Sequence, residues 1–290
     1  MTLVSPWAAH AVCLALFAAD LGARAVRLRG YLRGLGAELS LGRAFQVNAF
    51  GDAAAGLTPM RFGGEMAKFG GLLRARIAAR TAVIGLGIEA AVTYPVVALF
   101  GGWLAWRFAP AWWRSAGPAL ASALAAWWPW MVAVGCLTVA AGVGTWWWCS
   151  HREPGPGTPR SAVTEVRAWP AVSGALLSFV NVLARTLMLP VLAQTLPEHP
   201  PFGVMMIGSF VLLYSQLVLP MPGGLGAVDL GFLSGLAGNL GPGRGALLLA
   251  WRFYTVGAGA LLGLGLAVAT LGAGPLLRLL RASLHRSPRD

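Results

Sequence analysis

Two short segments concentrate the side chains that could do chemistry. The first reads Thr58-Pro59-Met60-Arg61-Phe62-Gly63-Gly64-Glu65-Met66-Ala67-Lys68. The second reads Leu219-Pro220-Met221-Pro222-Gly223-Gly224-Leu225-Gly226-Ala227-Val228-Asp229. Each passes from proline through a glycine pair to a carboxylate. Proline ends an incoming helix, and glycine permits a tight backbone turn. A helix leaving such a turn presents free N–H groups and the positive end of its dipole there, an arrangement suited to an anion such as a lipid phosphate. Arg61 and Lys68 stand four residues before and three after Glu65, so the three can share one helical face. The plain outcome is a self-neutralised ion cluster. The functional one is a site that exchanges charge with a headgroup or a proton. Asp229 falls in the first turn of its arm, where a carboxylate also serves as an ordinary cap.

Further polar residues sit inside apolar runs. Glu89 and Arg252 are placed to pair with a basic group of the first segment and with Asp229, respectively. Arg185, with Asn181 one turn before it, is another buried candidate. Asp20 lies near the expected end of the first helix, where it would snorkel or pair with Arg24. Charged residues at membrane depth are functional by default. Elsewhere the chemistry is thin. Cys13, Cys136 and Cys149 match no metal spacing and read as small apolar fillers. The four histidines are scattered. There is no HExxH, no GxSxG with an intramembrane histidine and no Walker loop. No enzymatic activity, cofactor or metal is expected.

The elements that must position these residues are apolar helices. Hydrophobic residues make up 57% of the 290-residue chain and charged residues 11%, against about 25% charged in soluble domains. Mean hydropathy is +0.67. The reading is an all-α polytopic integral membrane protein. A transmembrane helix takes about 20 apolar residues, and five stretches qualify: 4–23, 80–105, 119–148, 169–195 and 246–273. Trp103, Trp106, Trp112, Trp113 and the run Trp146 to Trp148 fall at their ends, where aromatic rings mark the headgroup level. Ala44 to Leu73 and Phe202 to Leu240 are broken at the two motifs, and their arms are too short to cross, apart from the first arm of the second region, which nearly could. Both are therefore expected to be re-entrant hairpins. Gly257, Gly259, Gly263 and Gly265 suit close helix packing.

Charge supports that topology. The net charge is +12. With two hairpins and the N-terminus outside, fifteen arginines, Arg24 and Arg27 among them, face the inside, against Arg107, Arg114 and Arg244 outside. Such a bias follows the positive-inside rule. It places the C-terminus in the cytoplasm, and the membrane expected is a plasma (inner) membrane. The arginines lack the aromatic interleaving of a nucleic-acid face, so no nucleic-acid partner is expected. The halves then read as an inverted repeat, as in many secondary transporters. One membrane domain fills 1–290: a first half over about 4–105, a linking helix 119–148, a cytoplasmic loop 151–168, a second half over about 169–275 and a basic tail 276–290.

At the two motifs the chain resembles the flippase-like family named for the transmembrane region of lysylphosphatidylglycerol synthase. Its Pro–Gly–Glu motif and following basic residue are met by Pro59, Gly64, Glu65 and Lys68. Its Pro-x-Pro-Gly-Gly-x-Gly-x-x-Glu motif and later arginine are met by Pro220, Pro222, Gly223, Gly224, Gly226, Asp229 and Arg252. The likeness runs over about residues 10 to 275. Lys68 stands where arginine is usual and Asp229 where glutamate is. The family's extra N-terminal helix is not seen, and the chain leaves no room for a soluble aminoacyltransferase domain. The resemblance implies a lipid flippase-like protein without aminoacyl transfer. Arg61, Lys68 and Arg252 would attract a phosphate-bearing or anionic headgroup, and Glu65 and Asp229 a basic headgroup or a proton. A non-transporting accessory subunit for a lipid- or glycan-modifying enzyme, or a small-anion secondary transporter, are the other readings.

Overall fold

The computed structural model describes residues 4–58, 61–151, 168–217, 226–238 and 240–272. All regular structure among them is helical. Helix α1 (Pro6–Gly34) opens with Ser5, whose hydroxyl accepts from the Ala8 N–H at 3.2 Å, and with proline at its first position. This start is a standard helix cap. It closes at Gly36, which takes the left-handed conformation (φ +76°) that glycine adopts at little cost. The helix thus runs beyond the expected end at residue 23. Arg24 and Arg27 are buried within it rather than lying in a cytoplasmic segment, so both leave the inside tally.

Helix α2 (Leu41–Leu57) is capped by Ser40, and α3 (Phe62–Arg74) follows after a short turn. The two form an antiparallel hairpin. A Cβ on Gly64 would meet the Gly51 carbonyl oxygen at 3.0 Å, and one on Gly71 would meet Val47 at 3.1 Å. Small residues are what bring the arms together.

Helix α4 (Ala79–His151) is unbroken over 73 residues. Two spans separated by an outside loop were expected here, and no such loop exists. Pro110 and Pro118 each remove one backbone donor, but alanine and other adequate helix formers surround them. At 1.5 Å per residue the helix is roughly 110 Å long, several times the ~30 Å hydrocarbon layer. Trp112 also departs from its expected interfacial place. It is 5% exposed and donates its indole N–H to the Leu236 carbonyl at 2.7 Å.

Helix α5 (Ala168–Ala193) packs along α1, with Gly174 clearing space for the Tyr31 hydroxyl. Helix α6 (Phe202–Ser215) forms a second antiparallel pair with α7 (Ala227–Gly231) and the π turn Phe232–Leu236. Gly208 lies against the backbone of Leu236 and Ala237, and Gly231 against Leu212. Helix α8 (Arg244–Arg252), the π turn Phe253–Gly257 and α9 (Ala258–Leu271) complete the described chain. Gly259 and Gly263 bring α9 onto Asp52 and Ala49 of α2, whereas a Cβ on Gly257 would meet Phe253 and Arg252 just before it in the chain and one on Gly265 would meet nothing.

Three helices among the described residues are long and apolar enough to cross a membrane: Ala79–Arg114, Val172–Ala193 and Arg244–Thr270. Shorter apolar helices accompany them. One apolar core joins α1, α4, α5, α6 and α8 around Leu104, Met188, Phe232 and Trp251. A smaller one lies beneath the first hairpin, around Leu28, Leu32 and Leu72.

Candidate functional site

Between the two cores lies a chain of buried charges. It starts from α1, where Asp20, Arg24, Arg27 and Tyr31 repeat at helical spacing and form one inward stripe. Arg24 donates to both carboxylate oxygens of Asp52 on α2, at 2.8 and 2.7 Å, and to Asp20 at 3.1 Å. Asp20 is fully buried and also accepts from Arg185 at 3.1 Å and from the Asn181 amide, both on α5. Its expected place near a helix end is therefore replaced by one at the centre of the network. Once α1 continues past it, burial follows.

Two more guanidiniums approach Asp52 at longer range, Arg185 at 3.9 Å and Arg61 at 4.0 Å. Arg61 also donates to Gln216 at 3.2 Å, across from the first hairpin tip to the end of α6. Arg61 does not share a helical face with Glu65 as its spacing suggested. It precedes α3 and is left-handed (φ +60°), so helical spacing does not govern its direction.

A second branch runs through Glu89 on α4. Its Oε1 accepts from Arg27 at 2.6 Å and from Lys68 at 3.3 Å. Lys68 reaches this point across Gly51, where a Cβ would lie 3.0 Å from the lysine Cγ. Lys68 also pairs with Glu65 at 3.1 Å, although the Glu65 side chain is 63% exposed. Arg27 donates to Ser178 on α5 at 2.7 Å, and Ser178 lies 3.3 Å from the Thr93 hydroxyl on α4.

The balance of charge is uneven. Arg24, Arg27, Arg61, Lys68 and Arg185 converge on three buried carboxylates, Asp20, Asp52 and Glu89, with Glu65 at the edge. A buried ion is tolerated only when paired and hydrogen-bonded. Such an excess of cations favours an anion.

Asp229 and Arg252 make a separate pair at 2.6 Å. Asp229 also accepts from the Gly226 N–H at 2.9 Å, so it caps its helix as well as holding the arginine. Gly226 takes φ +85°, a conformation suited to glycine. The first tip is less open to an anion than its glycines suggest. The Gly63 N–H donates to the Thr58 hydroxyl at 2.8 Å and the Gly64 N–H to the Arg61 carbonyl at 3.0 Å. Pro59, Pro220, Pro222, Gly223 and Gly224 lie outside the described residues, as do most of the expected loop 151–168 and the tail 276–290.

Of the expected residues, Arg61, Lys68, Glu89 and Arg185 come together in the network, Glu65 flanks it, and Asp229 and Arg252 pair elsewhere. Asp52, Arg24 and Arg27 were missed as site residues. The signal for Asp52 was available, since it is the sole charge in the 17-residue apolar arm after Arg43. So was the i, i+4, i+7 spacing of Asp20, Arg24 and Arg27.

A family model described as the lysylphosphatidylglycerol synthase TM region matches residues 1–263. No curated protein and no solved structure matches the chain.

Proposed function

The chain belongs to the lysylphosphatidylglycerol synthase transmembrane-region family, membrane proteins tied to lipid handling, and from that premise we propose that it translocates a phospholipid or glycolipid as a flippase-like protein. The observation that carries the reading is the buried excess of cations around Asp20, Asp52 and Glu89. A phosphate entering there would complete the pairing of Arg61 and Arg185, whose contacts to Asp52 are the longest in the network. Arginine suits this role because its planar fork meets phosphate oxygens in pairs. Lys68 adds a point charge.

The proposed topology keeps both broken regions as re-entrant hairpins in an inverted repeat. The packing supports this. Helices α1 and α5, first in each half, lie against one another. The first hairpin's α2 packs on α9 of the second half, and the second hairpin's α6 packs on α4 of the first. Exchanging the halves leaves that pattern unchanged. The arginine bias, with Arg74, Arg76 and Arg80 inside, supports an N-terminus outside the membrane.

Purified protein in phosphatidylcholine vesicles doped with fluorescent phosphatidylglycerol tests the reading. Wild type is expected to move the probe between leaflets, and the Arg61→Ala/Arg185→Ala protein to do so far more slowly. Equal movement in wild-type, variant and protein-free vesicles sinks it. Co-purification with an enzyme and no lipid movement would point instead to an accessory subunit.

A further inference from the structure

One feature of the molecule is not used by the ion network. A concave groove of about 660 Å³ opens between α4 and α5, lined by Val96, Phe100 and Trp103 on one side, Leu176 and Phe179 on the other, and Met206 of α6 at its floor. Its size lies within the roughly 300–1,000 Å³ of small-ligand pockets. Its wall is almost wholly apolar.

Its position says what fills it. Both flanking helices are candidate membrane spans over Ala79–Arg114 and Val172–Ala193, so the open side of the groove meets hydrocarbon. The same two helices carry residues of the ion network about one to two turns from the groove. On α4 the network residues Glu89 and Thr93 continue into Val96, Phe100 and Trp103 at steps of three and four, which keeps them on one helical face. On α5, Ser178 holds Arg27 and Thr93, and the next residue, Phe179, meets Phe100 edge-on at 5.7 Å. Cations at one end and an apolar trough at the other match the two ends of one lipid.

We infer that this groove binds an acyl chain of the same lipid whose phosphate reaches the ion network, so that the lipid is held head and tail between α4 and α5. The inference rests on the proposed function and gives it an entry side. A chain lying there costs little, because it leaves one apolar medium for another. Selectivity then comes from the head end, where Lys68 and Arg27 lie one to two turns of α4 from the groove wall.

The test is photocrosslinking of the full chain in phosphatidylcholine vesicles. Two probes carry the same diazirine-bearing acyl chain, one a phosphatidylglycerol and one an uncharged diacylglycerol. With the phosphatidylglycerol, adducts are expected on peptides holding residues 96–103 and 172–183, roughly ten-fold above those on the exposed α9 residues Leu261, Leu264 and Val268. The diacylglycerol should label the groove no more than α9. Leu176→Trp, at an exposed position, should fill the groove and remove the enrichment while the thermal unfolding midpoint stays put. Equal labelling of groove and α9, or equal groove labelling by both probes, overturns the inference even where the vesicles transport lipid. Enriched, phosphate-dependent labelling supports it even where no transport is seen, and in that case it is the transport reading that fails.

Discussion

Arg24 grips Asp52 with both terminal guanidinium nitrogens, at 2.8 and 2.7 Å, and so ties the first helix to the first hairpin through a buried bidentate pair. Breaking one member of such a pair strands the other charge, at a cost of about 3–5 kcal/mol. Asp52→Ala should therefore lower the unfolding midpoint in detergent micelles sharply, because three arginines lose their shared partner. An Arg24→Leu/Asp52→Leu protein should recover part of that loss, since apolar replacement of both partners avoids a lone buried charge. A double variant less stable than the sum of the single ones would contradict the account.

Lys68 stands between one buried and one exposed carboxylate, and the two contacts should differ in weight. Exposed ion pairs are worth about 0–1 kcal/mol, so Glu65→Ala should change stability by less than about 1 kcal/mol. Residues in direct buried contact couple by about 0.5–3 kcal/mol. A double-mutant cycle on Lys68→Met and Glu89→Gln, followed by chemical unfolding, should fall in that range. The same cycle on Lys68 and Glu65 should fall near its lower edge or beneath it. Equal coupling in both cycles would mean that burial does not set the difference.

The motifs and the network were legible to different degrees, for a physical reason. Proline, paired glycines and a following carboxylate act within a few residues, so the helix breaks near Thr58 and Leu217 and the cap by Asp229 could be read along the chain. The apolar runs likewise identified α5 and the Arg244–Thr270 helix. Contacts between distant residues leave no such local trace. Arg24 looked like a positive residue beyond a helix end because its partner lies 28 positions away. Trp112 looked interfacial because the Leu236 carbonyl that receives its N–H lies 124 positions away. The continuity of α4 was hidden by the opposite effect: prolines and tryptophans that resemble local punctuation sit in a run whose helical preference prevails.

Glycine packing between α2 and α9 supplies a sharper test of the fold. A Cβ on Gly259 would fall 3.0 Å from the Asp52 Oδ2, and one on Gly263 would overlap the Ala49 backbone. Gly265 faces open space. Gly263→Leu should destabilise by about 1–3 kcal/mol, the usual cost of overpacking. Gly259→Val should do so too, and should also disturb the Arg24–Asp52 pair. Gly265→Ala should be neutral or slightly stabilising, since alanine is preferred to glycine in helices by about 1 kcal/mol. Thermal unfolding of the three proteins checks the order, and a Gly265→Ala loss as large as that of Gly263→Leu would refute the α2–α9 contact.

Asp229 does two things at once, and two substitutions separate them. Its Oδ2 accepts from the Gly226 N–H at 2.9 Å, while its Oδ1 accepts from the Arg252 Nε at 2.6 Å. Asp229 stands at N3, where an asparagine oxygen can still accept from the Gly226 N–H, whereas alanine loses that hydrogen bond, worth about 0.5–1.5 kcal/mol. Asp229→Asn should thus preserve the helix start while removing the negative charge facing Arg252. Asp229→Ala should lose both. If the pair matters for lipid movement, the two variants should transport equally poorly in the fluorescent phosphatidylglycerol assay, with only the alanine protein also showing faster hydrogen exchange at Ala227–Gly231. If Asp229 is no more than a cap, Asp229→Asn should transport like wild type. The pair sits apart from the Asp20–Asp52 network, so that outcome would leave the role of Arg61 and Arg185 standing and confine the headgroup to the network shared by the first hairpin, α1, α4 and α5.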